Sequence, residues 1–121
     1  PSDVREIMRL AGVYVLPSRY EAWGVGLHEA ALSGMPILCS DICGSSVELV
    51  QDGFNGLTFR TGDVDHLVRC MLELSSGDCD LAVMGRNSTL LAERCSTQLW
   101  ADTFMRGIHS LNLPNQPGER T

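Results

Sequence analysis

Lysine is absent from this sequence, and all nine of its cationic residues are arginines. Aspartate and glutamate number 15, which gives a formal net charge of −6 at pH 7. Sequence-independent binding of nucleic acid depends on neutralising phosphates with basic side chains. The acidic composition therefore argues against nucleic acid as a partner of this chain.

Long apolar segments are missing as well. No stretch approaches the roughly 18 apolar residues that a membrane-spanning helix needs. The first residues of the chain also lack the basic start and the apolar centre that a signal peptide has. Hydrophobic residues nevertheless make up 44% of the chain, which is enough to build a core. We expect a globular protein located in the cytoplasm.

The sequence also lacks the cysteine patterns that bind metals. The five cysteines are odd in number, and none of them form a CxxC pair. Cys39 and Cys43 flank the end of a predicted strand, but the sequence places no further metal ligands beside them. We therefore expect free, buried thiols and no metal site.

Strand and helix patterns alternate along the chain. Short apolar runs predict strands at 13–16, 36–40 and 57–60. Helical spacing and capping residues predict helices at 3–10, 24–33, 45–50, 63–74, 79–93 and 96–111. In the helix at 63–74 we expect five apolar side chains to point inward: Val64, Leu67, Val68, Met71 and Leu72. The alternation predicts an α/β fold with a short parallel sheet and right-handed crossovers.

The residues that follow the strand at 13–16 are the most informative ones for function. They lie at the carboxyl edge of the predicted sheet, where α/β proteins bind ligands. A helix that starts near Gly24 directs unpaired N–H groups and its positive dipole end towards an anion, and Gly26 lets the backbone approach closely. Glu21 precedes this start and Glu29 lies about one turn into the helix. The pattern predicts a diphosphate flanked by two acceptors for sugar hydroxyls.

Several sequence blocks in a single order support a resemblance to a known family. They are Leu16-Pro17-Ser18, Glu21, Gly24, Glu29, Ala31, Gly34, Pro36, Ile37, Gly44, Glu48, the run from Asp52 to Leu57, and Gly62-Asp63. In order and spacing they resemble the retaining GT-B glycosyltransferases of group 1, or family 4, the type of glycogen synthase and sucrose synthase. The resemblance covers about residues 4–75.

The resemblance implies a fold and a reaction. It makes residues 1–111 the later half of a GT-B C-terminal domain, the Rossmann-like, three-layer α/β/α domain that binds the nucleotide sugar, and it leaves residues 112–121 as a flexible tail. The implied reaction transfers a sugar from a nucleotide-diphosphate donor to an acceptor with retention of configuration. It requires neither a metal nor a cofactor.

The resemblance also assigns roles to residues. Glu21 contacts the transferred sugar and is the candidate catalytic carboxylate, whereas Glu29 accepts hydrogen bonds from the ribose hydroxyls. Trp23, Gly24 and Val25 offer backbone N–H groups to the sugar or the phosphates. Taken by themselves, the same residues are also compatible with a solvated turn, a carboxylate that complements the helix dipole, and a packed tryptophan.

Other polar residues near this segment stay outside the assignment. His28 is adjacent to Glu29, but neighbours on a helix point about 100° apart, so we interpret it as a polar-face or packing residue. Arg19 is expected to be solvated or paired with Glu21. Ser45 follows the strand at 36–40 and is either a ligand contact or a helix cap.

We expect this chain to be part of a longer enzyme and to be inactive alone. Its 121 residues hold one domain at most, whereas the resemblance implies two facing domains and an Arg–Lys pair on an earlier loop. The expected partners are a nucleotide-sugar donor, an acceptor that the sequence does not identify, and the N-terminal domain of the parent enzyme. Two alternatives are a fragment of a GT-B-like nucleotide-sugar epimerase and a non-enzymatic assembly or binding fragment.

The strand at 13–16 is expected at an edge of the sheet, although it is central in a whole GT-B enzyme. An edge strand exposes unpaired N–H and C=O groups. We therefore expect the isolated chain to self-associate through this strand.

Overall fold

The structure is a computed structural model that describes residue 7, residues 10–95 and residues 97–110. Most of the predicted helix at 3–10 and all of the predicted tail at 112–121 lie outside the described residues. The described elements alternate in the order β1 (Tyr14–Leu16), α1 (Val25–Leu32), β2 (Ile37–Ser40), α2 (Ser46–Leu49), β3 (Gly56–Phe59), α3 (Val64–Ser75), α4 (Leu81–Arg94) and α5 (Thr97–Ser110). None of the helices described is long and apolar enough to cross a membrane.

The three described strands form one parallel sheet in the order β1-β2-β3. Tyr14 pairs with Ile37, and Ile37 in turn pairs with Gly56. The predicted α/β class with a short parallel sheet is therefore confirmed. The predicted strands also match, with boundaries that shift by about one residue.

Helices pack on both faces of this sheet, because successive side chains of β2 point to opposite sides. Ile37 and Cys39 belong to a cluster with Leu27 of α1 and Leu49 of α2. Leu38 belongs to a second cluster, which contains residues of β3, α3 and α4: Leu57, Phe59, Cys70, Leu74 and Met84. The result is the predicted three-layer arrangement.

The inward face predicted for the helix at 63–74 is wrong for most of its residues. Cys70 and Leu74 are buried and Leu67 packs against them. Four of the five predicted residues are exposed: Val64, Val68, Met71 and Leu72. The helix carries two apolar stripes, and the one formed by Leu67, Cys70 and Leu74, in steps of three and four residues, contacts the sheet.

An apolar groove lies on the α3 side of β1. Its lining residues are Val13, Val15, Leu38, Met71, Leu74, Ser75 and Leu81. Val15, in the middle of β1, is 38% exposed, and β1 has a strand partner on one side only among the described residues. Unpaired backbone and an apolar groove thus lie together along this edge.

Asn55 is the polar centre of the described core, where it is fully buried. Its side-chain amide donates to the carbonyl of Leu49 at 2.8 Å and to the hydroxyl of Ser88 at 3.1 Å. Its side-chain oxygen accepts from the N–H of Gln51 at 2.8 Å. One side chain therefore connects the end of α2, the turn before β3 and the helix α4.

We expect Asn55→Ala to destabilise the chain by about 3 kcal/mol, because it removes the buried hydrogen bonds to the carbonyl of Leu49 and the hydroxyl of Ser88. Urea unfolding measures this loss. Asn87→Ala is the matched control, since Asn87 makes one exposed hydrogen bond, to the carbonyl of Phe54 at 2.8 Å. Equal effects of the two substitutions would show that the Asn55 connection does not hold the core.

We also expect the isolated chain to self-associate through β1, because the unpaired strand edge lies beside the apolar groove. Val15→Lys should reduce the oligomer fraction in light scattering over a concentration series, since it places a charge at that edge. Val47→Lys changes a residue on α2 that is 85% exposed and serves as the control. A wild-type chain that stays monomeric at high concentration contradicts the expectation, as do oligomers that Val15→Lys leaves intact.

Candidate functional site

The loop after β1 is held by hydrogen bonds from the loop after β2. The N–H of Gly44 donates to the carbonyl of Glu21 at 3.2 Å. The N–H of Ser45 donates to the carbonyl of Trp23 at 3.1 Å, and the Ser45 hydroxyl donates to the same carbonyl. We call these contacts the loop junction. It fixes the backbone that carries Glu21 and leads into α1.

Two buried serines stabilise the same region. The hydroxyl of Ser40, at the end of β2, donates to the carbonyl of Ser18 at 2.6 Å. Ser40 and Ser45 are both fully buried. The sequence left Ser45 undecided between ligand contact and helix cap. The structure shows that it makes no side-chain cap for α2 and that it belongs to the loop junction.

The helix α1 begins with Gly24 in a left-handed backbone conformation, with φ of +87°. Glycine adopts this conformation at little cost. No side chain caps the helix, and no acidic residue lies in its first turn. The start of α1 therefore presents backbone N–H groups and the positive end of the helix dipole without a competing carboxylate in that turn.

Glu21 and Glu29 both influence the hydroxyl of Tyr14 electrostatically. Glu29 is exposed on α1 and Glu21 is half-buried before it. The pKa of Tyr14 is raised, first by partial burial and then by nearby Cys43, Glu21 and Glu29. Both carboxylates are therefore within electrostatic reach of one hydroxyl. That they bracket a ligand at the start of α1 stays a prediction.

The other predicted contact residues surround the same point. Trp23 is half-buried, Gly24 is buried and Val25 is exposed. The roles that the resemblance assigns to these side chains and backbone groups stay predictions, because the structure holds no ligand.

His28 is interpreted from the sequence as a polar-face or packing residue. Its Nε2 atom is buried and has no hydrogen-bond partner among the described residues. A buried polar atom without a hydrogen-bond partner lowers the free energy of unfolding. The interpretation of His28 as a packing residue accounts for the burial but not for the missing partner.

The buried cysteines do not form a metal centre. All five thiols are free, and both Cys39 and Cys43 are buried. Burial, followed by the neighbouring Cys43, raises the pKa of Cys39 to about 12, so this thiol stays protonated at neutral pH. Within the described part of the chain, no group of three or more His, Cys, Asp or Glu residues is placed to hold a metal ion.

Comparisons of the sequence with known proteins point to a single family. The family model described as "Glycosyl transferases group 1" matches residues 1–90. A UDP-Gal:alpha-D-GlcNAc-diphosphoundecaprenol alpha-1,3-galactosyltransferase of Escherichia coli is 29% identical over 86 residues, which cover 71% of this chain and 22% of the relative. A sucrose synthase of Thermosynechococcus vestitus is 30% identical over 105 residues, which cover 82% of this chain and 13% of the relative.

Solved structures share the fold. HepE of Anabaena, solved in complex with UDP, matches with a TM-score of 0.74 and 22% identity and covers 92% of this chain. Sucrose-phosphate synthase of Thermosynechococcus elongatus matches with a TM-score of 0.66 and 21% identity and covers 83% of this chain. The chain spans 31% and 26% of the lengths of these two structures. The Rossmann-like α/β fold of a GT-B protein is thereby supported, for a segment much shorter than its relatives.

The loop junction gives a direct test of the site's geometry. A Cβ atom added to Gly44 would lie 2.1 Å from the carbonyl oxygen of Ala22, so Gly44→Ala must push the two loops apart. We expect a loss of about 2 kcal/mol in thermal or urea unfolding, the usual size for overpacking, together with faster amide exchange in residues 21–26. Gly12→Ala is the control, because a Cβ there meets nothing within 4 Å. Unchanged stability and exchange in Gly44→Ala would contradict the junction.

Proposed function

The chain belongs to the group 1 glycosyl transferases, and on this premise we propose that it forms part of the donor-binding domain of a retaining glycosyltransferase. In this proposal a nucleotide-diphosphate sugar binds at the start of α1, and the complete protein transfers the sugar to an acceptor. The observation that carries the proposal is the uncapped start of α1, with Glu21 and Glu29 both within electrostatic reach of Tyr14 Oη.

The diphosphate is assigned to the helix start. Backbone N–H groups of Trp23, Gly24 and Val25 would donate to its oxygens, and the positive end of the α1 dipole adds a favourable charge interaction. The loop junction supports this assignment, because it holds the carbonyl of Trp23 in place before the ligand arrives. Donors that are fixed in advance need no reorganisation when charge develops on the ligand.

The two carboxylates are assigned to the two sugars. Glu29 is exposed about one turn into α1 and accepts hydrogen bonds from the ribose hydroxyls. Glu21, which lies before the helix, contacts the transferred sugar. A hydrogen bond to a charged group contributes about 1.5–3 kcal/mol, so the pair would fix the donor in register as well as add affinity.

Catalysis in this segment is electrostatic and positional. The departing nucleotide diphosphate is an anion of low basicity, and negative charge grows on it as the sugar–phosphate bond breaks. The helix start stabilises that charge, while Glu21 and Glu29 hold the donor in the reactive orientation. The proposed step uses no metal and no cofactor.

The nucleotide and the remaining partners are also proposals. The E. coli relative is described as acting on UDP-Gal and the Anabaena structure contains UDP, which supports UDP sugars as the first donors to test. The rest of the parent protein would supply the facing domain, the acceptor site and basic groups for the diphosphate. A cytoplasmic location stays a prediction from the sequence.

We expect Glu21→Gln, in the protein that contains this chain, to lower kcat by about 100-fold, because it removes a charge that acts on the reacting sugar. Glu29→Gln should raise KM for the donor by about tenfold, since it weakens one charged hydrogen bond. Transfer kinetics with UDP sugars and thermal unfolding measure these effects, and Tm should stay within about 2 °C of the wild type.

Glu73→Gln is the matched control, because Glu73 is an exposed carboxylate on α3, on the opposite face of the sheet. Activity and folded protein lost in parallel would assign the two glutamates a structural role. A donor that is epimerised and released without transfer to an acceptor would replace the transferase proposal with an epimerase.

A further inference from the structure

The hydroxyl of Tyr14 occupies the space where a side chain at position 26 would begin. A Cβ atom added to Gly26 would lie 2.5 Å from Tyr14 Oη but 3.6 Å from Tyr14 Cζ. The first distance is a clash and the second is ordinary van der Waals contact. A side chain at position 26 would therefore require the phenol oxygen or the helix to shift, whereas the aromatic ring beneath the oxygen leaves room for it.

We infer that Tyr14 and Gly26 form a matched pair that sets the start of α1 against β1 and thereby orients Glu29 relative to Glu21. The inference rests on the proposed function, because it gives the pair a role in holding the nucleotide-sugar donor. Tyr14 is in this sense a positioning residue that acts through Glu29.

Tyr14 cannot easily move away from the helix. The backbone N–H of Tyr14 donates to the carbonyl of Pro36 at 2.9 Å, and Tyr14 pairs with Ile37 in the sheet. Its ring packs against the buried cluster that includes Leu27. Pressure from a side chain at position 26 would therefore displace the start of α1 or tilt the ring, and either change alters the site.

A displacement of the start of α1 would also move Glu29, because both belong to the same helix. Gly26 and Glu29 are three residues apart, so they are neighbours on one side of α1. The hydroxyl of Tyr14 lies within electrostatic reach of both glutamates, and partial burial, Cys43, Glu21 and Glu29 together raise its pKa. The hydroxyl thus stays protonated at neutral pH.

A double-mutant cycle tests the pair in the protein that contains this chain. Gly26→Ala should raise KM for a UDP sugar by about tenfold and change kcat by less than about threefold, a coupling of the usual size for residues in contact. Tyr14→Phe alone should raise KM by about threefold at most. The double variant, in which the clashing oxygen is gone, should return KM to the value of Tyr14→Phe.

Thermal unfolding of all four proteins separates positioning from general destabilisation, and Gly12→Ala controls for adding a methyl group elsewhere. An unchanged KM in Gly26→Ala, or a double variant as impaired as Gly26→Ala, overturns the inference. So does a KM that rises only in proportion to a loss of Tm. If the wild-type protein neither binds nor uses UDP sugars, the proposed function fails, and the pair is then judged by whether the two substitutions compensate in Tm.

Discussion

The loop after β1 has no regular secondary structure, yet hydrogen bonds from Gly44 and Ser45 hold its backbone at two carbonyls. This loop junction decides where Glu21 lies and where α1 begins. It forms because parallel strands deliver their following loops to one edge of the sheet. The rest of the candidate site depends on it, since an unanchored loop would leave the start of α1 without a fixed direction.

The chemistry of the site depends on backbone groups. The loop junction binds carbonyl oxygens of the loop after β1, and no side chain caps the start of α1. The hydroxyl of Tyr14 lies beside Gly26 in the first turn of α1, within electrostatic reach of Glu21 and Glu29. In the proposed function, the backbone donors bind the anionic part of the donor and the two carboxylates bind its hydroxyls.

The sequence was sufficient for local features and insufficient for long-range ones. Strand and helix positions follow from apolar periodicity, and the cap at Asp63, which accepts from the N–H of His66 at 2.9 Å, follows from a local signal. The inward stripe of α3 was predicted wrongly, because two apolar stripes are present and only packing selects one. The contacts of Asn55 with Ser88 and of Tyr14 with Gly26 join residues distant in sequence or on different elements, so no local pattern predicts them.

A crystal structure of the complete protein with a UDP sugar bound tests whether the start of α1 binds the diphosphate of a nucleotide sugar. We expect diphosphate oxygens about 3 Å from the N–H groups of Gly24 and Val25, with Glu29 accepting from the ribose hydroxyls and Glu21 beside the sugar. A UDP sugar bound elsewhere, or one that reaches this edge with its diphosphate turned away from α1, would show that the start of α1 is not the diphosphate site.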